Sequence, residues 1–226
     1  MTGAAARERR ALYGRAKGKP LRTHQSGLMR DLLPRLEIDL ETLRAGRLFV
    51  GRDVWLEIGF GGGEHLCARA LENPEVGFVG CEPFVNGVAK LLARIEADGI
   101  ENIRVCVDDA TAVLAAAPAG AFSRAYLLYP DPWPKRRHSK RRFVNERNIA
   151  ALARALRPGG ELCFATDIDD YAGWTLRRFS SCPEFAWEAE TADDWRQPWP
   201  GWMPTRYEAK ARAAGRGSAY LTFRRR

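Results

Sequence analysis

Short apolar runs alternate along this chain with longer stretches whose apolar residues recur every three or four positions. The runs lie at 53–58 (DVWLEI), 77–82 (GFVGCE), 103–107 (IRVCV), 125–129 (AYLLY) and 161–166 (ELCFAT). Runs of this length, apolar throughout, suit strands buried on both faces. The helical period fills about 63–73, 84–98, 109–117, 140–157 and 169–181, and Pro158-Gly159-Gly160 should stop the fourth of these helices. The alternation predicts an α/β fold, a mostly parallel sheet with helices on both faces. Segments 185–190 and 218–225 read as two more strands, with a long Trp- and Pro-rich loop at 193–217 between them. Joined without a well-defined crossover helix, these two should add to the sheet edge in antiparallel fashion.

The length, 226 residues, suits one domain, expected over 23–226 after a basic, mobile arm at 1–22. The arm is rich in Arg and poor in acids, which also fits a transit peptide. No apolar stretch approaches the length of a membrane span, so no membrane association is expected. Cys67, Cys81, Cys106, Cys163 and Cys182 are odd in number and show no C-x-x-C spacing. They read as buried thiols of a cytoplasmic protein, with no disulfide framework and no zinc module.

Charge sharpens this picture. The net value is +8, yet residues 1–30 hold eight Lys/Arg against one acid, 135–142 (KRRHSKRR) six against none, and 206–226 seven against one. The other 167 residues sum to −11. Any one such run is ordinarily a solvated face; three of them on an acidic body suit a binder of polyanions. KRRHSKRR also matches a nuclear-localisation pattern, but its place directly after a strand end argues for a site.

Ligands of parallel sheets bind at the carboxyl ends of the strands. The first strand ends Leu56-Glu57-Ile58-Gly59-Phe60-Gly61-Gly62-Gly63, where glycines allow a tight turn and close backbone approach. The second ends at Glu82, placed to accept the two hydroxyls of a ribose, and the third at Asp108-Asp109, placed to read an adenine edge. Glu64 breaks the G-x-G-x-x-G dinucleotide fingerprint. Glu57 would repel a pyrophosphate but attract the cationic amino-acid end of S-adenosyl-L-methionine, which is therefore favoured over NAD(P).

The fourth strand runs into Tyr129-Pro130-Asp131-Pro132-Trp133-Pro134-Lys135. The prolines should stiffen this loop and push Tyr129, Asp131 and Trp133 toward extended backbone, displaying one carboxylate and one indole. The basic block follows at once, so a methyl-transfer site beside a polyanion binder points to a nucleic-acid substrate. The stretch YPDPWPKRRHSKRRF, with LEIGFGGG, CEP, DDA, ATD at 165–167 and PTRYEAKA at 204–211, resembles the signature of bacterial tRNA (guanine-N7)-methyltransferases, the TrmB family. The resemblance runs from about residue 20 to the end. It implies a Rossmann-like class I methyltransferase with seven strands. The implied reaction carries a methyl group from S-adenosyl-L-methionine to N7 of guanine 46 in the tRNA variable loop, without a metal.

The resemblance also assigns roles. Glu57, Gly59, Gly61, Glu82, Asp109 and Asp131 would contact the cofactor, with Asp131 also the proposed catalytic residue. Lys135, Asp167, Thr205, Arg206, Tyr207 and Glu208 would bind the substrate. Arg137, His138, Ser139, Lys140, Arg141 and Arg142 would meet the RNA. Tyr207 and Ser139 depart from the usual Phe and Asn, and Ala-Lys-Ala-Arg follows Glu208 in place of Lys/Arg-Gly. Guanine N7 carries a lone pair, so no strong general base is required. Asp131 would stabilise the cationic purine or else fix the cofactor, and Asp167 and Glu208 are candidates to accept from guanine N1–H and its amino group. Trp195, Trp199 and Trp202 either stack on a flipped base or, more ordinarily, pack over the sheet edge. Two alternatives remain open, another RNA- or base-directed methyltransferase and a non-catalytic RNA-binding relative. The protein would act as a monomer or a homodimer.

Overall fold

A computed structural model describes Ala16 and residues 18–226. Most of the basic arm expected at 1–22 lies outside the described residues. The strands are β1 (Val54–Ile58), β2 (Gly77–Cys81), β3 (Ile103–Cys106), β4 (Phe122–Leu128), β5 (Leu156–Thr166), β6 (Phe185–Trp187) and β7 (Ala219–Arg225). They form one sheet in the order β3-β2-β1-β4-β5-β7-β6. The first five are mutually parallel, and β7 runs antiparallel between β5 and β6. The expected class and the antiparallel C-terminal strand are both present. Strand order reverses between β1 and β4, which opens a crevice at their carboxyl ends.

The helices are α1 (Thr23–Asp31), α2 (Leu33–Leu36), α3 (Leu40–Arg44), α4 (Glu64–Glu72), α5 (Val85–Asp98), α6 (Ala110–Ala116), α7 (Glu146–Ala155), α8 (Asp169–Ser180), α9 (Asp193–Arg196) and α10 (Arg206–Ala213). Among the described residues, no helix is long and apolar enough to cross a membrane. Two apolar cores flank the sheet. Leu56, Val79, Leu127, Leu162, Phe164 and Phe223 meet α6, α7 and α8 on one face, while Phe78, Leu66, Leu91 and Ile103 meet α4 and α5 on the other. Cys67, Cys81, Cys106 and Cys163 are buried thiols, and Cys182 is half-buried.

Three expectations change. The helix expected at 140–157 begins only at Glu146, where the Asn145 side chain accepts from the Asn148 N–H and so caps α7. The cation-rich residues before it instead form a 3-10 turn, Arg136–Arg141. Helix α7 ends at Ala155, and Pro158-Gly159-Gly160 forms a bulge inside β5, where the pairing shifts register between Phe122 and Arg124. The long C-terminal loop contains α9 and α10. Helix α10 starts with Thr205-x-x-Glu208, and the Thr205 hydroxyl accepts from the Glu208 N–H at 3.2 Å. Residues 23–44, where the pattern assigns no element, pack Leu28, Leu33 and Leu36 into the core beside α5.

Candidate active site

The crevice at the carboxyl ends of β1 and β4 holds a cavity of about 800 Å³. That volume falls within the range of small-molecule sites. One wall is the turn after β1. Gly59 and Gly61 adopt φ of +73° and +58°, a region that side-chain-bearing residues rarely enter. Where a side chain on Gly59 would begin there is open space. Below the turn, a Cβ on Gly87 would lie 2.2 Å from the Gly61 carbonyl oxygen, so only glycine lets α5 approach this loop.

Glu82, just past β2, ties the turn to α5. Its Oε2 accepts from the Gly61 N–H at 2.7 Å and its Oε1 from the Phe84 N–H at 2.9 Å. A carboxylate has about four acceptor sites, so this orientation leaves each oxygen room for one more donor. Burial raises the Glu82 carboxyl above its usual value, the two backbone donors pull it back, Asp131 pushes it up and Arg206 lowers it. Asp109 also lines the cavity and caps α6, accepting from the Thr111 N–H at 2.7 Å.

The opposite wall is the loop after β4. Asp131 stands at the rim of the cavity, and the partial enclosure raises its carboxyl above the ordinary aspartate value. The flanking residues are not extended as expected. Tyr129 and Trp133 have φ of +48° and +43°. Bulky residues held there store about 1–3 kcal/mol each, and persist only where surrounding contacts over-determine them. Tyr129 is held by its N–H to the Ala165 carbonyl at 2.7 Å and by its hydroxyl to Ser218 at 2.9 Å. Trp133 lies 4.9 Å beneath the Arg141 guanidinium and edge-on to His138.

The roof comes from the start of α10. Arg206 and Tyr207 line the cavity, and the Tyr207 ring passes 3.6 Å from the position of a Cβ on Gly61. Lys140 and Arg141 border the same cavity, with Lys135, Arg136, Arg137 and Lys140 exposed along the basic turn. His138 is held below its ordinary value, first by desolvation and then by the charges of Arg141, Arg137, Lys135 and Lys140. Ser139 closes the turn, its hydroxyl donating to the Arg136 carbonyl at 2.9 Å.

Residues 51–221 match the family model described as "Putative methyltransferase". A tRNA (guanine-N(7)-)-methyltransferase of Agrobacterium fabrum is 53% identical over 221 residues, covering 96% of this chain and 95% of that protein. Its counterpart in Rhizobium meliloti is 54% identical over 225 residues, covering 97% of each. The chain belongs to the tRNA (guanine-N7)-methyltransferase family. Among solved structures, the 16S rRNA methyltransferase KamB aligns with a TM-score of 0.55 at 15% identity, covering 82% of this chain and 92% of that one. A Streptococcus mutans protein described as "a putative methyltransferase" in complex with SAH aligns with a TM-score of 0.51 at 11% identity, covering 89% of this chain and 98% of that one. At such identities the likeness speaks for the fold.

The residues of the cavity fit the cofactor of a methyltransferase. Glu82 presents two acceptor oxygens as ribose hydroxyls require, and the glycine turn leaves space beside Gly59 for the body of the molecule. Three acidic residues expected at this site lie outside the cavity lining. Glu57 does not line the cavity. It is buried, with His65 Nδ1 at 2.7 Å, because alternation along β1 turns it toward α4. Glu208 is 0% exposed and accepts from Trp202 Nε1 at 2.6 Å, from the Tyr220 hydroxyl at 3.0 Å and from Arg212. Both of its oxygens are engaged by the fold, and the side chain is enclosed away from the cavity. Asp167 pairs with Arg216 at 2.7 Å. Arg142 lines the cavity but is buried among aromatic rings, unlike the exposed Arg136, Arg137 and Lys140 before it.

Trp199 and Trp202 pack over Tyr126 and Tyr220, and Trp195 packs on the main core, so the ordinary packing of these tryptophans is what the fold uses. Sequence reasoning missed Gly87 and His65. The small residue at the start of the helix after Cys-Glu-Pro was the available signal for the first; nothing local marked the second.

Proposed function

We propose that this chain transfers a methyl group from S-adenosyl-L-methionine to N7 of a guanine in the variable loop of tRNA, position 46, giving 7-methylguanosine. One observation supports it most. A single cavity joins the Gly61–Glu82 cradle to Asp131, and the exposed cations of the 3-10 turn continue from its rim. A base entering past this rim would bring its backbone phosphates toward Lys140 and the neighbouring Lys135 and Arg137, where counterion release would supply affinity.

Bound in the cradle, the cofactor supplies a methyl group made electrophilic by its sulfonium. Glu82 accepts the ribose hydroxyls, Asp109 bounds the adenine side, and Arg206 and Tyr207 close the roof. Guanine N7 offers its own lone pair, so no residue here would have to remove a proton for it to take the methyl group in exchange for the bond to sulfur. The charge given up by the sulfonium would then lie on the purine, and Asp131, held at the rim, would stabilise it there as a carboxylate. Holding the base and the methyl group in line contributes the remainder, through orientation. The single-domain reading of 23–226, a cytoplasmic location and a monomeric or homodimeric state belong to the same proposal.

The test is incubation of the protein with methyl-labelled cofactor and unmodified tRNA transcript, followed by nucleoside analysis. Label should appear as 7-methylguanosine and vanish when guanine 46 is replaced by adenine. Label on another nucleoside, or retention after that replacement, would overturn the assignment.

A further inference from the structure

We propose that Arg142 is a positioning residue for Asp131 rather than one of the phosphate contacts of the basic segment it ends. In sequence it is indistinguishable from Arg137 or Lys140. In the fold its side chain is 3% exposed. Its Nε donates to the Pro132 carbonyl at 2.8 Å, its Nη2 pairs with Asp170, and its guanidinium lies 4.9 Å from the Tyr171 ring and 5.0 Å from that of Trp174. Arg142 borders the cavity, yet its guanidinium is already engaged by a carbonyl, a carboxylate and two rings, which leaves little of it for a phosphate in solvent.

What Arg142 holds is the loop that carries Asp131. Pro130, Pro132 and Pro134 have no N–H, so they donate no backbone hydrogen bond to hold the loop. Two residues of positive φ, Tyr129 and Trp133, bracket Asp131. Such a segment keeps its shape only if it is tied on both sides. Tyr129 ties the first side to β5 and Ser218. On the second side, Arg142 takes the carbonyl immediately after Asp131 and anchors it to α8 through Asp170 and the two rings. A lysine would supply charge but could not bridge carbonyl, carboxylate and ring faces together. The proposal rests on the assignment of Asp131 to methyl transfer.

The test compares single-turnover rates of the full chain, at saturating cofactor and tRNA, for Arg142→Lys, Asp131→Asn and the double variant. Salt dependence of tRNA binding is measured alongside for Arg142→Gln and Arg137→Gln, which delete the charge. Arg142→Lys should slow the step by about tenfold to a hundredfold, the scale of a small misplacement of a reacting group. The salt slope of Arg142→Gln should stay at the wild-type value, while Arg137→Gln should flatten it by about 0.7–0.9. In the Asp131→Asn background, Arg142→Lys should cost little more, since one residue acts through the other. Full additivity in the double variant, a wild-type rate for Arg142→Lys, or a flattened slope for Arg142→Gln would overturn the proposal. If Arg142→Lys fails to fold, Asp170→Asn keeps the arginine and loosens its exposed anchor. It should slow the step by about threefold or more, and a wild-type rate there would equally overturn it. A wild-type rate for Asp131→Asn alone would instead remove the role of Asp131 and leave Arg142 nothing to position.

Discussion

The two walls of the cavity are built on different principles. The cofactor wall is made of backbone, with glycines in left-handed conformations, a helix pressed close at Gly87, and Glu82 gripping two main-chain N–H groups. The other wall, proposed to face the RNA, is made of side chains on a strained proline loop and a short 3-10 turn, held by an arginine, aromatic rings and a tyrosine hydroxyl. The first wall recognises a molecule that is the same in every turnover, and rigidity costs it nothing. On the proposed reading the second must admit a large polyanion and present one base to Asp131. Its affinity would come from exposed cations and its precision from buried contacts, and these are different residues.

The largest effect is expected where the two walls meet. Asp131→Asn keeps the volume but deletes the charge, and the single-turnover rate should fall by about a hundredfold or more, as for loss of one preorganised stabilising group. Affinity for tRNA should stay within a few-fold. Cofactor affinity, measured by calorimetry, separates the two roles: preserved if Asp131 acts on the transition state, reduced if it anchors the methionine end.

Next comes a position whose sequence role and structural role differ. Glu208→Ala would leave Trp202 Nε1 and the Tyr220 hydroxyl without their acceptor and Arg212 without its partner. The expected loss is about 2–3 kcal/mol of stability. For a chain of this size that lowers Tm by roughly 4–12 °C in calorimetry. An unchanged Tm with a large loss of kcat/KM would restore Glu208 as a base reader.

The cofactor wall is probed by Glu82→Ala, expected to weaken S-adenosyl-L-methionine by about 1.5–3 kcal/mol, the scale of hydrogen bonds to a charged group. NAD(H) should not bind appreciably to either protein. Equal binding by NAD(H), or an unaffected mutant, would mean the cradle is read wrongly.

The same contrast explains what could be read from the residues alone. Strand ends and glycine turns declare themselves locally, so Glu82, Asp109 and Asp131 could be placed before any fold was seen, and all three line the cavity. Burial and pairing do not declare themselves. Glu57, Arg142 and Glu208 are charged residues in motifs that suggest contact with a ligand, yet their partners His65, Asp170 and Tyr220 arrive from other elements. The extended backbone expected at Tyr129 and Trp133 failed for a related reason. Local proline sterics were outweighed by tertiary contacts to β5, Ser218 and Arg141. Helix α10 was within reach, because Thr205-x-x-Glu208 is a helix-start pattern, but the surrounding Pro and Gly residues masked it.

The smallest effect tests whether the RNA-facing wall sacrifices stability for function. Enclosure raises the Asp131 carboxyl above its ordinary value of 3.8. Ionisation is thus harder in the folded chain than in the unfolded one. The sign follows from linkage: stability is greatest below the unfolded value, where both states are protonated, and declines as pH rises through the raised folded value. At pH 7–8 the carboxylate therefore weighs against folding, and Asp131→Asn should raise Tm while it abolishes most of the rate. Asp131 is exposed at the rim, so solvent screens the effect, and the gain is expected to be small beside the loss for Glu208→Ala. The gain should shrink on acidification and disappear below the ordinary aspartate value, as seen by thermal scans across that range. A variant less stable than wild type at pH 7–8 would show instead that the carboxylate makes a stabilising contact, and that the loop is held partly through Asp131 itself.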